Sequence, residues 1–414
     1  MKLRPILVVF IVALLVRLSV VVLMLPQLRP DQNPDYYREL GRNVALGKGF
    51  VAIAPDGRVL PNINRPPGYP VFLAELISLF GDRLGVLLVA NCLLAAVGCA
   101  LTVVLASRWL GRGAAMVAGL VAAVEPNSVL RCCLVLTEPL FMLFFLAGLC
   151  VLVWLREKNY AWCLCGLLWA LATLCRAVAM WLPLVALAAA LLWRTRPRYV
   201  LLFLLGFLPL ISLWIGRNAL LTGHFFFSSS SKNVMVNGWA ASLEAERTGI
   251  SVDLAGKQLI DRTGSIEFYE GRKSFEKTQR EQAKVVHEIV GARPWRLAVK
   301  MVWGTAQTLV GPGGRMLETF LREPRPAPRW WQIIYMGKLL IFVSLAVGGA
   351  VRRRRELAFL TIVVLYFLAL SISPFGNTRF RYPIIPLLAI LAVAAFTKTN
   401  KDAVDEKESL HHRN

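Results

Sequence analysis

Apolar runs of nearly membrane-spanning length follow one another along this chain and leave it little choice of fold. A spanning helix needs about 20 mostly apolar residues at about 1.5 Å of rise each. Ten stretches approach that ruler: 5–26, 84–107, 114–130, 136–155, 160–175, 177–193, 199–216, 331–351, 357–374 and 383–397. The expected fold is an all-α polytopic membrane protein with about ten transmembrane helices. The first run follows Met1-Lys2-Leu3-Arg4, as in a signal sequence. It is long enough to span and lacks a small-residue cleavage site, so it reads as a retained anchor.

Composition sharpens this. Hydrophobic residues fill 57% of the 414 positions, against roughly 45–50% in an ordinary soluble domain. Only 17% are charged, despite a formal net charge of +22. Of the 25 acidic residues, nine lie between Lys232 and Lys300 and four follow Thr399. Basic charge is therefore punctuation between apolar runs rather than a patch. That excludes a soluble enzyme, a disordered tail-like protein and any nucleic-acid partner. The eight cysteines all fall in apolar stretches, where a thiol behaves as a small hydrophobe. Their spacing suits neither a metal site nor a disulfide framework.

Lys and Arg in short loops set orientation. Arg108 and Arg112, Arg156 and Lys158, Arg194 to Arg198, and Arg352 to Arg355 occupy alternate connections. With Lys2 and Arg4 they place the N-terminus and these loops in the cytoplasm. The tail 398–414 then falls on the same side. Three segments face outward: a first loop over 27–83, a polar segment over 217–329 and a turn at 373–382. The chain divides into a transmembrane module at 1–223, a periplasmic or interfacial segment at 224–329, C-terminal helices at 330–397 and the tail.

The first loop has structure of its own. Asp35 to Leu46 reads as an amphipathic helix, with Tyr36, Leu40 and Val44 on one side and Arg38, Glu39 and Arg42 on another. Gly47 and Gly49 end it. After a turn around Pro55-Asp56-Gly57 and the run Arg65-Pro66-Pro67-Gly68-Tyr69-Pro70 comes a second helix, Val71 to Phe80, too short to cross and therefore interfacial. In the polar segment, Leu297 to Val310 is interfacial or re-entrant, bounded by Lys300 and Gly311 to Gly314, and Pro324, Pro326 and Pro328 follow.

Ionisable residues in or beside spans are costly, and each is a functional candidate. They are Arg17, Glu125, Arg131, Glu138, Arg176, Arg217, Arg379 and Arg381, and nearly all fall in the outer half. Asp31, Asp35, Arg38 and Arg65 sit at the same level in the first loop. Glu138 precedes Pro139, which suits a first helical position, so its carboxylate lies at a helix N-terminus that favours an anion. Arginine forks match phosphate bidentately. A carboxylate can take a proton from an incoming hydroxyl while cations stabilise a departing phosphate. This layout suits group transfer from a lipid phosphate outside the cytoplasm, and there is no phosphate-binding Gly-rich loop for ATP.

Asp35-Tyr36-Tyr37-Arg38-Glu39-Leu40, Gly47-Lys48-Gly49-Phe50 and Arg65-Pro66-Pro67-Gly68-Tyr69-Pro70 resemble the first outer loop of GT-C membrane glycosyltransferases. The similarity is to the bacterial branch related to protein O-mannosyltransferases and the lipid A aminoarabinose transferase. Thr137-Glu138-Pro139, Leu171 to Arg176, Arg217-Asn218 and Arg379 to Pro383 are similar to later landmarks. The ordered set, over roughly 1–223 and 330–397, is what is specific. The resemblance implies a polyprenyl-phosphate-linked sugar donor and an inverting displacement at the periplasmic face of a bacterial inner membrane. It makes Asp35 the first-choice catalytic acid, with Asp31 as runner-up and Glu138 as second acid. Arg65 and Arg38 become phosphate ligands, Arg176, Arg217 and Arg381 complete the charge, and Tyr37 and Tyr69 join the substrate-binding candidates. It leaves open the acceptor, whether glycan, glycolipid or protein.

Other readings stand beside these. Asp35 could only cap its helix. Glu138 could pair with Arg131, seven residues earlier on one helical face. Arg65 could be a solvated loop cation. Arg17 is expected to snorkel outward. Arg379 and Arg381 fit lipid head groups in general, and Tyr36 and Tyr37 suit an interfacial belt. With few acids and no histidine ligand, no cofactor is expected and a divalent metal is not favoured. A flippase of an anionic lipid or sugar, and a surface-polysaccharide polymerase or ligase, are the competing functions.

Overall fold

A computed structural model describes residues 3–54, 57–313, 318–323, 328–374 and 376–397, with the backbone alone at 231 and 232. The expected turn at 55–56, Gly314, Pro324, Pro326 and the tail 398–414 lie outside the described residues. All ten apolar runs become helical. They are α1 (Arg4–Met24), α4 (Leu84–Ala106), α5 (Arg112–Ala123) with α6 (Pro126–Leu130), α7 (Glu138–Leu155), α8 (Asn159–Cys175), α9 (Leu182–Leu192), α10 (Arg198–Thr222), α16 (Arg329–Arg352), α17 (Ala358–Leu370) and α18 (Ile385–Ala394). Among the described residues five helices are long and apolar enough to cross a membrane. A sixth span counts if Arg112–Ala123 and Pro126–Cys133, bent by 54°, are taken as one, and the other apolar helices are shorter. The chain is an all-α polytopic membrane protein.

Packing sorts the helices. The most buried spans are α4 and α7, while α1, α10 and α16 turn much of their apolar surface outward. Helix α8 lies between α7 and α10, and its contact with α10 is made by small residues on both sides. A Cβ on Gly166 would stand 2.1 Å from the Phe203 carbonyl oxygen, and one on Gly206 would stand 2.1 Å from that of Cys163. Lipid supplies no hydrophobic drive between helices, so close backbone approach of this kind is what holds them.

Arg17 departs from expectation. It is 1% exposed and does not snorkel. Helix α5 stops at Ala123, ahead of Pro126, and leaves carbonyls without intrahelical donors. The Arg17 guanidinium donates to Ala123 O at 2.8 Å and Ala13 O at 3.1 Å.

The first loop carries α2 (Tyr37–Ala45), a hairpin of β1 (Val51–Ile53) with β2 (Val59–Pro61), and α3 (Gly68–Phe80). The buried face of α2 is Tyr37, Arg38, Leu40 and Gly41 rather than the Tyr36, Leu40, Val44 stripe. The outer segment folds into α11 (Ser230–Val234), α12 (Ala241–Thr248), α13 (Val252–Thr263), α14 (Arg272–Ala292) and α15 (Pro294–Val310). It docks on the first loop through main chain. Ile63 N donates to Glu267 O at 3.1 Å, Tyr269 N to Pro61 O at 2.9 Å and Ser229 N to Ile63 O at 3.2 Å. Near its other end, Arg29 N donates to Phe320 O at 2.9 Å. The described part of the segment over 224–329 is thus tied to the first loop at these points.

The basic connections gather at one end. Arg108, Trp109, Arg156, Trp193, Arg355 and Phe359 line a small cavity of about 150 Å³. Helix α7 runs from Glu138 to Leu155, beside Arg156, and 18 residues rise about 27 Å. Glu138 is therefore at the end of the bundle opposite that cavity.

Candidate active site

Asp35 is built into an unusual piece of backbone. Asp35 (φ 57°) and Tyr36 (φ 64°) are consecutive left-handed residues ahead of α2. Neither is glycine, and each such conformation costs about 1–3 kcal/mol, a pattern that clusters at functional sites. The turn aims the carboxylate away from its own helix. No side-chain cap bond forms at α2, which removes the capping reading. Instead Asp35 Oδ1 accepts from Arg65 Nη2 at 2.9 Å, and Oδ2 accepts from Arg379 Nη1.

Arg379 continues the chain of charges. Its Nε donates to Glu138 Oε1, and its Nη2 reaches Glu138 Oε2 at 3.4 Å. Arg176 Nη1 lies 2.8 Å from the same Oε1, as an ion pair without hydrogen-bonding angles. The order Arg65–Asp35–Arg379–Glu138–Arg176 thus alternates in sign across five parts of the chain. Its two ends differ in access. The Glu138 side chain is 0% exposed, whereas that of Asp35 is 21% exposed. Burial works against the charge on Asp35, but Arg379 and Arg65 outweigh it and hold the carboxyl below its ordinary 3.8.

Local sequence explains the assembly. A Cβ on Gly68 would stand 2.8 Å from the Leu174 carbonyl oxygen. Only glycine lets the Arg65–Pro70 run press against the end of α8, where Arg176 begins. Arg65 stacks over Tyr37 at 5.7 Å, Tyr37 meets Tyr69 edge-on at 5.5 Å, and Tyr69 donates to Asn91 Oδ1 at 3.1 Å. Tyr37 and Tyr69 are both buried and form the floor under Arg65.

Several candidates go elsewhere. Arg38 donates to Asp82 Oδ1 at 2.7 Å, and Arg42 pairs with the same carboxylate. Its place on the buried face of α2 turns it to the α3–α4 connection, away from Asp35. Arg217 donates to Asn62 O and Asn218 Oδ1, both at 2.9 Å, and lies 4.8 Å over Trp214. Arg381 donates to Leu309 O at 2.7 Å and to Thr308 O and Gly311 O, capping the C-terminus of α15. Asp31 is exposed and has no ion pair among the described residues. The Glu138–Arg131 pairing does not form, because residues 134–136 are non-helical and separate the two. Glu125 accepts from Ser128 N at 2.7 Å and from Tyr335 Oη, and so joins α6 to α16.

Arg379 bridges the two acids, whereas Arg381, expected to complete the charge, caps α15 instead. Both lie in the 3₁₀ stretch Thr378–Ile384, where residues two apart point to different sides. Two further groups border the alternating charges. Arg131, buried, makes its one side-chain hydrogen bond among the described residues to Thr378 Oγ1 at 3.2 Å. It lines a cavity of about 870 Å³ together with Leu134, Trp303, Val310, Met336 and Thr378. Glu267, from the outer segment, lies within electrostatic reach of Arg65 and Asp35. Among the described residues no three His, Cys, Asp or Glu side chains gather as a metal site.

Residues 64–215 match the family described as dolichyl-phosphate-mannose-protein mannosyltransferase. No curated protein sequence matches the chain. Among solved structures, it is similar to the oligosaccharyltransferase of Archaeoglobus fulgidus tethered to an acceptor peptide, with a TM-score of 0.56, 12% identity and coverage of 99% of this chain and 50% of that one. The same archaeal enzyme, AglB, with an inhibitory peptide and a dolichol-phosphate gives 0.56 at 14% identity, covering 100% and 52%. ArnT of Cupriavidus metallidurans bound to undecaprenyl phosphate gives 0.43 at 16% identity, covering 94% and 77%, too loose a superposition to argue from. The chain spans about half the length of the archaeal structures. It is a polytopic membrane protein of GT-C fold, and its residues 64–215 are similar to the protein mannosyltransferases.

Proposed function

We propose that the protein is a glycosyltransferase that moves a sugar from a polyprenyl-phosphate-linked donor to an acceptor hydroxyl, on the outer face of a bacterial inner membrane. The observation that carries this reading is the alternation Arg65–Asp35–Arg379–Glu138–Arg176 beside an apolar cavity. The cavity takes the isoprenoid, and Arg131, which lines it and makes no ion pair within hydrogen-bonding range among the described residues, takes the phosphate. Asp35, the partly exposed acid, accepts the proton of the acceptor hydroxyl. The acceptor oxygen bonds to the anomeric carbon from the opposite side as the carbon–oxygen bond to phosphate breaks, which inverts the centre. The polyprenyl phosphate leaves with the bonding pair, and Arg131 and Arg379 stabilise its charge. Glu138, fully enclosed, orients Arg379 and Arg176 and does not meet the acceptor.

Both acids already have guanidinium partners, which supports a reaction without a divalent metal. The basic turns at the far end support cytoplasmic termini. The test is sugar transfer from a polyprenyl-phosphate donor by purified protein in lipid. Transfer that survives Asp35→Asn unchanged overturns the assignment of the base, and activity abolished by a chelator and restored by magnesium or manganese overturns metal independence. Movement of labelled substrate across proteoliposomes without transferred product favours a flippase, and use of only pyrophosphate-linked donors favours a polymerase or ligase.

A further inference from the structure

On the side of Asp35 away from Arg379, the outer segment brings a carboxylate and two amides together. Asn64 Nδ2 donates to Glu267 Oε1 at 3.0 Å, and Asn233 Nδ2 approaches the same oxygen at 3.4 Å. A carboxylate fixes which way each amide faces, because a flipped amide would set two acceptors against each other. The amide oxygens are therefore turned from Glu267, and both are buried without a partner. Asn64 is 2% exposed and Asn233 7%. Glu267 Oε2 has no hydrogen bond among the described residues either. Native structures satisfy nearly all buried polar atoms, so such a cluster calls for an explanation.

Two unpartnered amide oxygens and a carboxylate gathered in one cluster suit a ligand rich in donors. The wall beside them is aromatic, with Tyr36 set edge-on to Phe268 at 5.6 Å. Ser228 Oγ donates to Asn64 O and contacts Ser230 Oγ at 2.8 Å. Glu267 and Tyr36 are only half-buried, which leaves an approach from outside. Burial also raises the Glu267 carboxyl above its ordinary 4.5, even with Arg65 near. Hydroxyls for the acceptors and a ring face for carbon–hydrogen contact are the chemistry of a sugar.

We infer that Glu267, Asn64 and Asn233 form a saccharide subsite that reads the hydroxyl or amino donors of the acceptor beside Asp35. Its assignment to the acceptor rests on the function proposed above; its ability to bind sugar does not. The cavity assigned to the isoprenoid is lined by Thr378, next to Arg379, and by none of Asn64, Asn233 and Glu267, which leaves the Glu267 cluster for the second substrate.

The test uses the full chain in lipid nanodiscs, without donor, and a panel of methyl hexosides and methyl 2-amino-2-deoxyhexosides as probes in saturation-transfer NMR. At least one glycoside should respond with the wild type, and its affinity should fall roughly ten-fold in Glu267→Gln, the loss expected for a hydrogen bond to a charged group, and about three-fold in Asn233→Ala, whose bond is neutral. A response from neutral glycosides identifies hydroxyls as the groups read, and one from amino glycosides alone identifies the ammonium. Thermal unfolding at the wild-type midpoint certifies each variant. No response in the wild type, or an equal response in both folded subsite variants, overturns the inference. Glycoside binding lost in Glu267→Gln, in a protein that transfers no sugar from any polyprenyl-phosphate donor, keeps the subsite and removes the proposed function.

Discussion

The two ends of the helical bundle differ in how most of their arginines are held, although Arg353 at the basic end is buried and paired with Glu356. At the basic end, Arg108 and Arg156 lie over the rings of Trp154 and Trp193 at 5.8 and 5.2 Å, without an ion pair among the described residues. At the other end, Arg65, Arg176 and Arg379 are threaded between Asp35 and Glu138. The first pattern needs only a position near the lipid boundary. The second needs five side chains from distant parts of the sequence to meet within hydrogen-bond distance. Arg108 and Arg156 rest on ring faces, whereas at the other end five charges are assembled, and only the assembled kind can be poised toward a substrate.

The largest effect expected is on chemistry at Asp35. Asp35→Asn keeps the size of the side chain and removes the proposed base, so transfer should fall by about 10²- to 10⁴-fold, read as the initial rate from a polyprenyl-phosphate sugar. Next comes Arg379, which serves both acids at once. Arg379→Gln leaves Glu138 enclosed with Arg176 as its main remaining partner, and breaking a buried pair costs about 3–5 kcal/mol. A lowered thermal midpoint together with lost transfer is the expected outcome. An unchanged midpoint would mean that the alternating charges do not act as a unit.

Arg65 offers a subtler probe, through pH. A carboxyl held below its ordinary value contributes stability that is present above about 3.8 and is lost as pH falls through the folded value. Asp35 is therefore fully ionised at neutrality, and transfer should not decline from pH 7 to 5 on its account. Arg65→Gln removes one of the two guanidiniums, so the acid limb of kcat/KM should move upward. A limb that stays in place would show that Arg65 does not act on Asp35. Gly68→Ala comes next, because its Cβ would press on a backbone oxygen that cannot swing aside. Overpacking of this kind costs about 1–3 kcal/mol, measurable as a lower unfolding midpoint.

The contrast between the ends also explains what could be read from the sequence. Apolar runs translate into helices because lipid length and hydrogen bonding dictate both, so α1, α4, α7, α8, α10 and α16 fall where the runs lie. Asp35, Glu138, Arg65 and Arg176 were legible as a group because charges are rare in such a chain and these four share one level. Phase was not legible. Arg379 and Arg381 are two residues apart, and only the 3₁₀ turn decides which faces Asp35 and which caps α15. Arg38 was misplaced for a related reason: the left-handed pair at Asp35 and Tyr36 delays the start of α2 to Tyr37, and Arg38 falls on its buried face. Glu267 carried no signal at all, since it lies in a polar segment where acids are common and reaches the first loop through backbone pairing across some two hundred positions of sequence.

The smallest effect belongs to the basic end, where it completes the comparison. Arg108 is exposed and leans on Trp154. An exposed cation–π contact contributes about 0.5–1 kcal/mol, and one charge among many in the basic turns does not set the orientation alone. Arg108→Gln should therefore shift the unfolding midpoint barely at all and leave transfer at the wild-type rate. A marked fall in transfer, with the midpoint held, would link the two ends of the bundle energetically. The basic turns would then belong to the working machinery, through α4 and the buried α7 beside it, rather than to orientation alone.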